Sequence, residues 1–108
     1  MITIDDFGKI ELVVAQVVAA ERVPNADRLV KLSVDTGADT RTLVAGIAQY
    51  YEVNDLIGRQ IVIVANLQPA HIRGIESQGM LLAARDKEDG AVVLLGPRAP
   101  VTNGSRVS

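Results

Sequence analysis

The sequence has no cysteine. Disulfides, thiolate zinc sites and cysteine nucleophiles are therefore excluded, and nothing argues for an oxidising compartment, so a cytoplasmic location is expected. Histidine is almost as scarce: His71 is the only one. An enzyme needs nucleophile, base or metal ligands brought together, and that constellation is missing. No apolar run approaches the roughly 20 residues that span a bilayer. The start, Met1-Ile-Thr-Ile-Asp-Asp, lacks the basic and long apolar stretches of a signal peptide, so no membrane role is expected. Positive charge is also short, with a net charge of −2 and a pI near 5.3. That counts against generic binding of a polyanion. Charges are screened over about 8 Å at physiological salt, however, so local placement matters more than the total.

What is present suits a packed domain. The 108 residues fit one domain, residues 1–108, with 48% hydrophobic and 22% charged residues. Glu11 to Val23 is a long Val- and Ala-rich segment that reads as a strand, closed by the turn residues Pro24-Asn25-Ala26-Asp27. Leu32 and Val34 then alternate with Lys31, Ser33 and Asp35, the period of two of a strand with one polar face. Thr36 to Asp39 turns the chain into a third strand, Arg41 to Ile47, antiparallel to the second because the link is short.

Asn54 is positioned to cap a short helix through Ile57, which Gly58 ends in the left-handed conformation. The unbroken β-branched run Ile61 to Ala65 predicts a fourth strand buried on both faces. Asn66 to Gln78 reads as an exposed loop, Gly79 to Ala84 as a strand, and Asp86 to Gly90 as a polar hairpin turn into Ala91 to Leu95. The last dozen residues, broken by prolines and Gly104, read as irregular. Three strands, a short helix and further strands is the order of an all-β, five-stranded OB-fold barrel with a C-terminal extension. An SH3-like barrel and a small sandwich are the competing architectures.

The remaining chemical motifs point away from catalysis. His71, in the expected loop, reads as exposed, with a phosphate or ribose contact as its only functional role. Asp86, Glu88 and Asp89 lack the ligand spacing of an EF-hand and read as a solvated turn. Asp5-Asp6 suits the start of a helix, where the dipole favours acids. Gly74 to Gly79 has neither the Lys-Ser/Thr of a P-loop nor the spacing of a nucleophile elbow. No catalytic residue, metal site or cofactor is expected.

Six segments in order resemble the tRNA-binding domain family: Ile4 to Leu12, Pro24 to Gly37, Val44 to Ile47, Leu56 to Arg59, Val64 to Pro69, and Arg73 to Ala84 with its Ser77-Gln78-Gly79-Met80. The resemblance spans nearly the whole chain. It implies an OB barrel, a homodimer built in part from the C-terminal segments, and a ligand that is the outer corner of L-shaped tRNA. It also implies a synthetase catalytic domain, in cis or in trans, as the partner that does the chemistry. The tRNA contacts it carries over are Asn25 and Arg28 at the first turn, Lys31 on the outward face of strand two, Arg73 in the long loop, and Ser77, Gln78 and Met80. Arg41 joins them because the short link between strands two and three is expected to hold it near that face.

The scarce aromatics, Phe7, Tyr50 and Tyr51, all lie outside strands two and three. Recognition of shape and backbone therefore fits better than a row of stacked bases. Two departures remove positive charge: Val13 stands where an arginine often follows the acidic-Leu pair, and Ala70-His71 occupy a commonly basic stretch. Modest affinity is expected. The alternative function is a protein- or peptide-binding, chaperone-like module of the same fold, which the acidic pI would suit.

Overall fold

The computed structural model describes residues Met1 to Ser108. Its frame is five strands: β1 (Leu12–Arg22), β2 (Val30–Asp35), β3 (Thr40–Ala45), β4 (Gln60–Val64) and β5 (Met80–Leu81), in the spatial order β3, β2, β1, β4, β5. All neighbours are antiparallel. The residues just before β5 bond to the free edge of β3 and nearly close the sheet into a barrel, the OB arrangement. A short helix, α2 (Val53–Leu56), lies between β3 and β4, and a shorter one, α1 (Ile4–Phe7), precedes the barrel.

The long first strand serves both sides because it changes parity. Val13 and Ala15 point inward opposite Ile63 and Ile61. The register then slips between Val17 and Ala19, leaving exposed Val18 as a bulge, and beyond it Ala20 faces Leu32. A bulge bends a strand and raises its twist, so one strand can turn from β4 to β2. The core is Val13, Ala15, Val17, Val30, Leu32, Val34, Leu43, Ile61 and Ile63, with Ile47, Ala48 and Leu56 plugging the helix side.

β4 is buried on both faces, as its composition predicts: Ile61 and Ile63 face the core, while Val62 and Val64 form a second apolar cluster with Leu12, covered by Phe7, Leu82 and Val107. Asp5 and Asp6 do begin a helix: Thr3 accepts from the Asp6 amide at 3.1 Å, and Asp6 accepts in return from the Thr3 amide.

Several expectations are corrected. Glu52, not Asn54, stands at the start of α2, with no side-chain cap, although Gly58 does take φ +90°. The expected loop from Asn66 to Gln78 contains a hairpin, β6 (Ala70–Ile72) and β7 (Ile75–Ser77). The strand expected from Gly79 to Ala84 is broken: Met80-Leu81 stay in the barrel, while β8 (Ala83–Arg85) pairs with β9 (Val92–Leu94).

The tail is not irregular throughout, because β10 (Arg106–Val107) pairs with the start of β1. Its approach is close: a Cβ on Gly104, at φ +91°, would stand 2.4 Å from the Thr36 carbonyl oxygen. Asn103 binds Gln16 at 3.1 Å, Gln60 at 2.9 Å and Asp35 at 3.4 Å. Gly104→Ala should therefore cost on the order of 2–4 kcal/mol, from left-handed strain and overpacking together, as read by urea unfolding.

Candidate tRNA interface

The turn between β1 and β2 is pinned from inside and open outside. Val23 and Ala26 are buried, and the backbone closes on itself through bonds from Ala26 to Val23 and from Leu29 to Ala26. Asn25 takes φ +61°, a conformation its short polar side chain tolerates, and it lies exposed with Asp27 and Arg28.

The hairpin β6–β7 reaches toward this turn. Its tip is the two-residue pair Arg73-Gly74, at φ +52° and +79°, the geometry of a type I′ turn. Arginine pays for that conformation where glycine or asparagine would not, by about 1 kcal/mol. One shallow depression at the tip is lined by Asn25, Asp27, Arg28, Leu29 and Arg73. A second, on the tip's other flank, is lined by Lys31, Thr42, Gly74, Ile75, Glu76 and Gln78. Five expected contacts, Asn25, Arg28, Lys31, Arg73 and Gln78, thus gather around one hairpin tip.

Charge there is mixed. Lys31 stands across the β1–β2 pair from Glu21, 3.7 Å from its carboxylate, with both side chains substantially exposed. An exposed pair of this kind is worth well under about 1 kcal/mol and leaves the ammonium able to swing to another anion. Asp27 and Glu76 lie beside the cations as well. The face offers separate donors rather than a uniform positive field.

Ser77 and Gln78 are occupied by the barrel itself. Ser77 is 4% exposed; its hydroxyl accepts from the Val44 amide at 3.1 Å and donates to the Gly79 carbonyl at 3.2 Å. Gln78 brackets Thr42, donating its amide to the Thr42 carbonyl at 2.8 Å and accepting from the Thr42 amide at 2.9 Å. Its side-chain NH2 stays free to donate outward. Gly79 must be glycine, since at φ +145° a Cβ would meet the Val64 carbonyl at 2.9 Å. Met80 pairs with Val64 and is half exposed, outside both depressions.

Arg41 is misplaced by the expectation from the short link. It pairs with Val34, whose side chain points into the core, so it lies on the opposite face of the sheet from Lys31. There it bonds to the Asp39 carboxylate at 3.2 Å and to the Ala65 carbonyl. The Thr36 hydroxyl, and after it Arg41, holds the Asp39 carboxyl below its ordinary value. Asp86 is likewise lowered, by the amides of Glu88 and Asp89 in the turn that the sequence predicts.

His71 is exposed, as expected, but on a strand facing Glu76 rather than in a loop. Thr42, Ile75 and Glu76, which the sequence does not single out, also line the second depression. The available signal is a two-residue turn ending in glycine between two short alternating runs, Ala70-His71-Ile72 and Ile75-Glu76-Ser77. An arginine at its first position concealed it.

Residues 12–106 match the tRNA binding domain family. The chain belongs to that family. It is 52% identical over 107 residues to a methionine-tRNA ligase of Deinococcus radiodurans, covering 99% of this chain and 16% of that enzyme. The chain therefore spans only a small part of the curated relatives it matches.

Among solved structures, a MetRS related protein from Pyrococcus horikoshii superposes with a TM-score of 0.94 at 39% identity, covering 100% of this chain and 98% of that one. The chaperone CsaA of Bacillus anthracis superposes at 0.90 with 34% identity, covering 100% and 99%. No helix of the tRNA binding domain is long and apolar enough to cross a membrane.

Two substitutions separate presentation from framework. Arg73→Gly relieves the turn, so the thermal midpoint should hold or rise; if the Arg73 guanidinium meets RNA, tRNA affinity should fall roughly five-fold. Ser77→Ala orphans the Val44 amide and the Gly79 carbonyl at the seam. It should cost about 1–3 kcal/mol in chemical denaturation.

Proposed function

We propose that this domain holds folded tRNA at its outer corner, with Asn25, Arg28, Lys31, Arg73 and Gln78 contacting the backbone and reading its shape. Ser77 and Met80 contribute from the seam behind the hairpin, and Arg41 braces the barrel on its far face. The observation that carries this reading is the gathering of separate donors around one hairpin, in a chain of the tRNA binding domain family. Donors spaced among carboxylates suit a ligand whose phosphates arrive in a fixed geometry, and suit a flexible polyanion poorly.

The domain does no chemistry of its own and works in the cytoplasm. It assists a methionyl-tRNA synthetase catalytic domain, in cis or in trans, by raising the local concentration of tRNA. Two copies associate through their C-terminal segments and present a doubled surface. A second reading, capture of unfolded protein, draws on the likeness to the chaperone CsaA.

Titration with folded tRNA and with an unstructured oligonucleotide of equal length distinguishes these. The folded tRNA should bind at least ten-fold more tightly, with log K falling against log salt by about three units per decade if roughly four phosphates are engaged. Equal affinity for the two RNAs, together with capture of a denatured protein, would favour the chaperone-like reading. Light scattering at micromolar concentration should return twice the 11.5 kDa chain mass; a monomer contradicts the paired surface.

A further inference from the structure

We infer that Tyr50 is a stacking platform for one unpaired base of the bound tRNA, at the margin of the interface; this rests on the tRNA-holding reading. The chain's other two aromatics are consumed internally. Phe7 packs on the Leu12, Val62 and Val64 cluster. Tyr51 packs against the main core, its hydroxyl accepts from the Leu94 amide at 3.0 Å, and the Arg59 guanidinium lies 5.2 Å from its ring centroid. Tyr50 joins neither apolar cluster, its hydroxyl has no partner, and 43% of it is exposed.

Its backbone is nevertheless held firmly beside the tRNA-facing turn. Ile47 and Ala48 are buried, and the Tyr50 amide donates to the Ile47 carbonyl at 3.0 Å. The Ala48 amide donates to the Arg28 carbonyl at 3.0 Å, and the Ala48 carbonyl accepts from the Arg22 guanidinium at 3.2 Å. Tyr50 is two residues beyond Ala48, so its backbone lies within about 7 Å of that anchor. Tyr50 therefore sits on a segment tied through Ala48 to the backbone of Arg28 and needs little ordering when a ligand arrives, which lowers the entropic cost of contact.

The surroundings select a base over a phosphate. Glu52 and Asp55 line the same depression as Tyr50 and outnumber its one cation, Arg59, whose guanidinium lies over the Tyr51 ring, so an anion gains little there while an uncharged base face meets no penalty. The loops of a folded RNA carry unstacked bases that proteins receive on aromatic side chains, and every base has a face to offer.

Affinity for folded tRNA and its salt slope, measured on wild type, Tyr50→Leu, Tyr50→Phe and Tyr50→Trp, test this. Tyr50→Leu should weaken binding about ten-fold with the slope unchanged, because a stacking contact and no phosphate contact is lost. Phe and Trp should bind within about two-fold of wild type. The chain has no tryptophan of its own, so the Tyr50→Trp indole reports alone, and its emission should be quenched as tRNA binds. Thermal midpoints should match throughout, since the ring is outside the core. If wild type binds tRNA and Tyr50→Leu binds equally well, the platform is refuted and the tRNA-holding reading stands. If Phe is as weak as Leu, the hydroxyl and not the ring is the contact, and the inference also falls. Failure of the wild type to bind folded tRNA removes the underlying reading itself.

Discussion

A curled sheet must join its last edge to its first, and here the join is made largely by two side chains. Between β3 and β5 the ladder is completed by the Ser77 hydroxyl and the Gln78 amide group standing in for backbone partners of Val44 and Thr42. The hairpin that carries Arg73 hangs from this seam. The hairpin β6–β7 ends at Ser77, so the position of Arg73 relative to Asn25 and Arg28 follows from where Ser77 is fastened. Ser77 and Gln78 thus have a framework role that does not depend on RNA, and Gln78 still has a donor to spare.

The parts of the fold legible in the sequence are those whose cause is local. β4 is readable because a strand covered on both faces must be apolar at every position, and Ile61 to Val64 are. The turn at Pro24 to Asp27 is readable because its residues cannot continue a strand. What escaped depends on distant partners or on parity. β10 exists because Arg106 and Val107 find Val13 and Leu12, and no pattern in the last residues encodes that. Nearness along the chain puts Arg41 on the wrong face because it does not fix parity, whereas pairing with Val34 does. The hairpin was hidden by an arginine in a backbone conformation that usually announces itself with glycine or asparagine.

The acidic pI loses its force as an objection once the charges are placed. Arg28, Lys31 and Arg73 surround the hairpin tip, each with a carboxylate nearby, so the face has directional donors and little net field. Such a surface gains little from long-range attraction, so complementarity of shape counts for more than net charge.

The foot of the barrel has a consequence in time as well as in space. Asn103 is the shared partner of Gln16, Asp35 and Gln60, side chains contributed by β1, β2 and β4. Until the tail has been made and has docked, the Gln60 side chain lacks its partners Val101 and Asn103, Gln16 and Asp35 keep only their bonds to Gly58 and Gly37, and the edge of β1 that receives β10 stays open. The meander can form early, but the barrel becomes cooperative only when nearly the whole domain has left the ribosome. Translation therefore delivers this domain's stability in one late step.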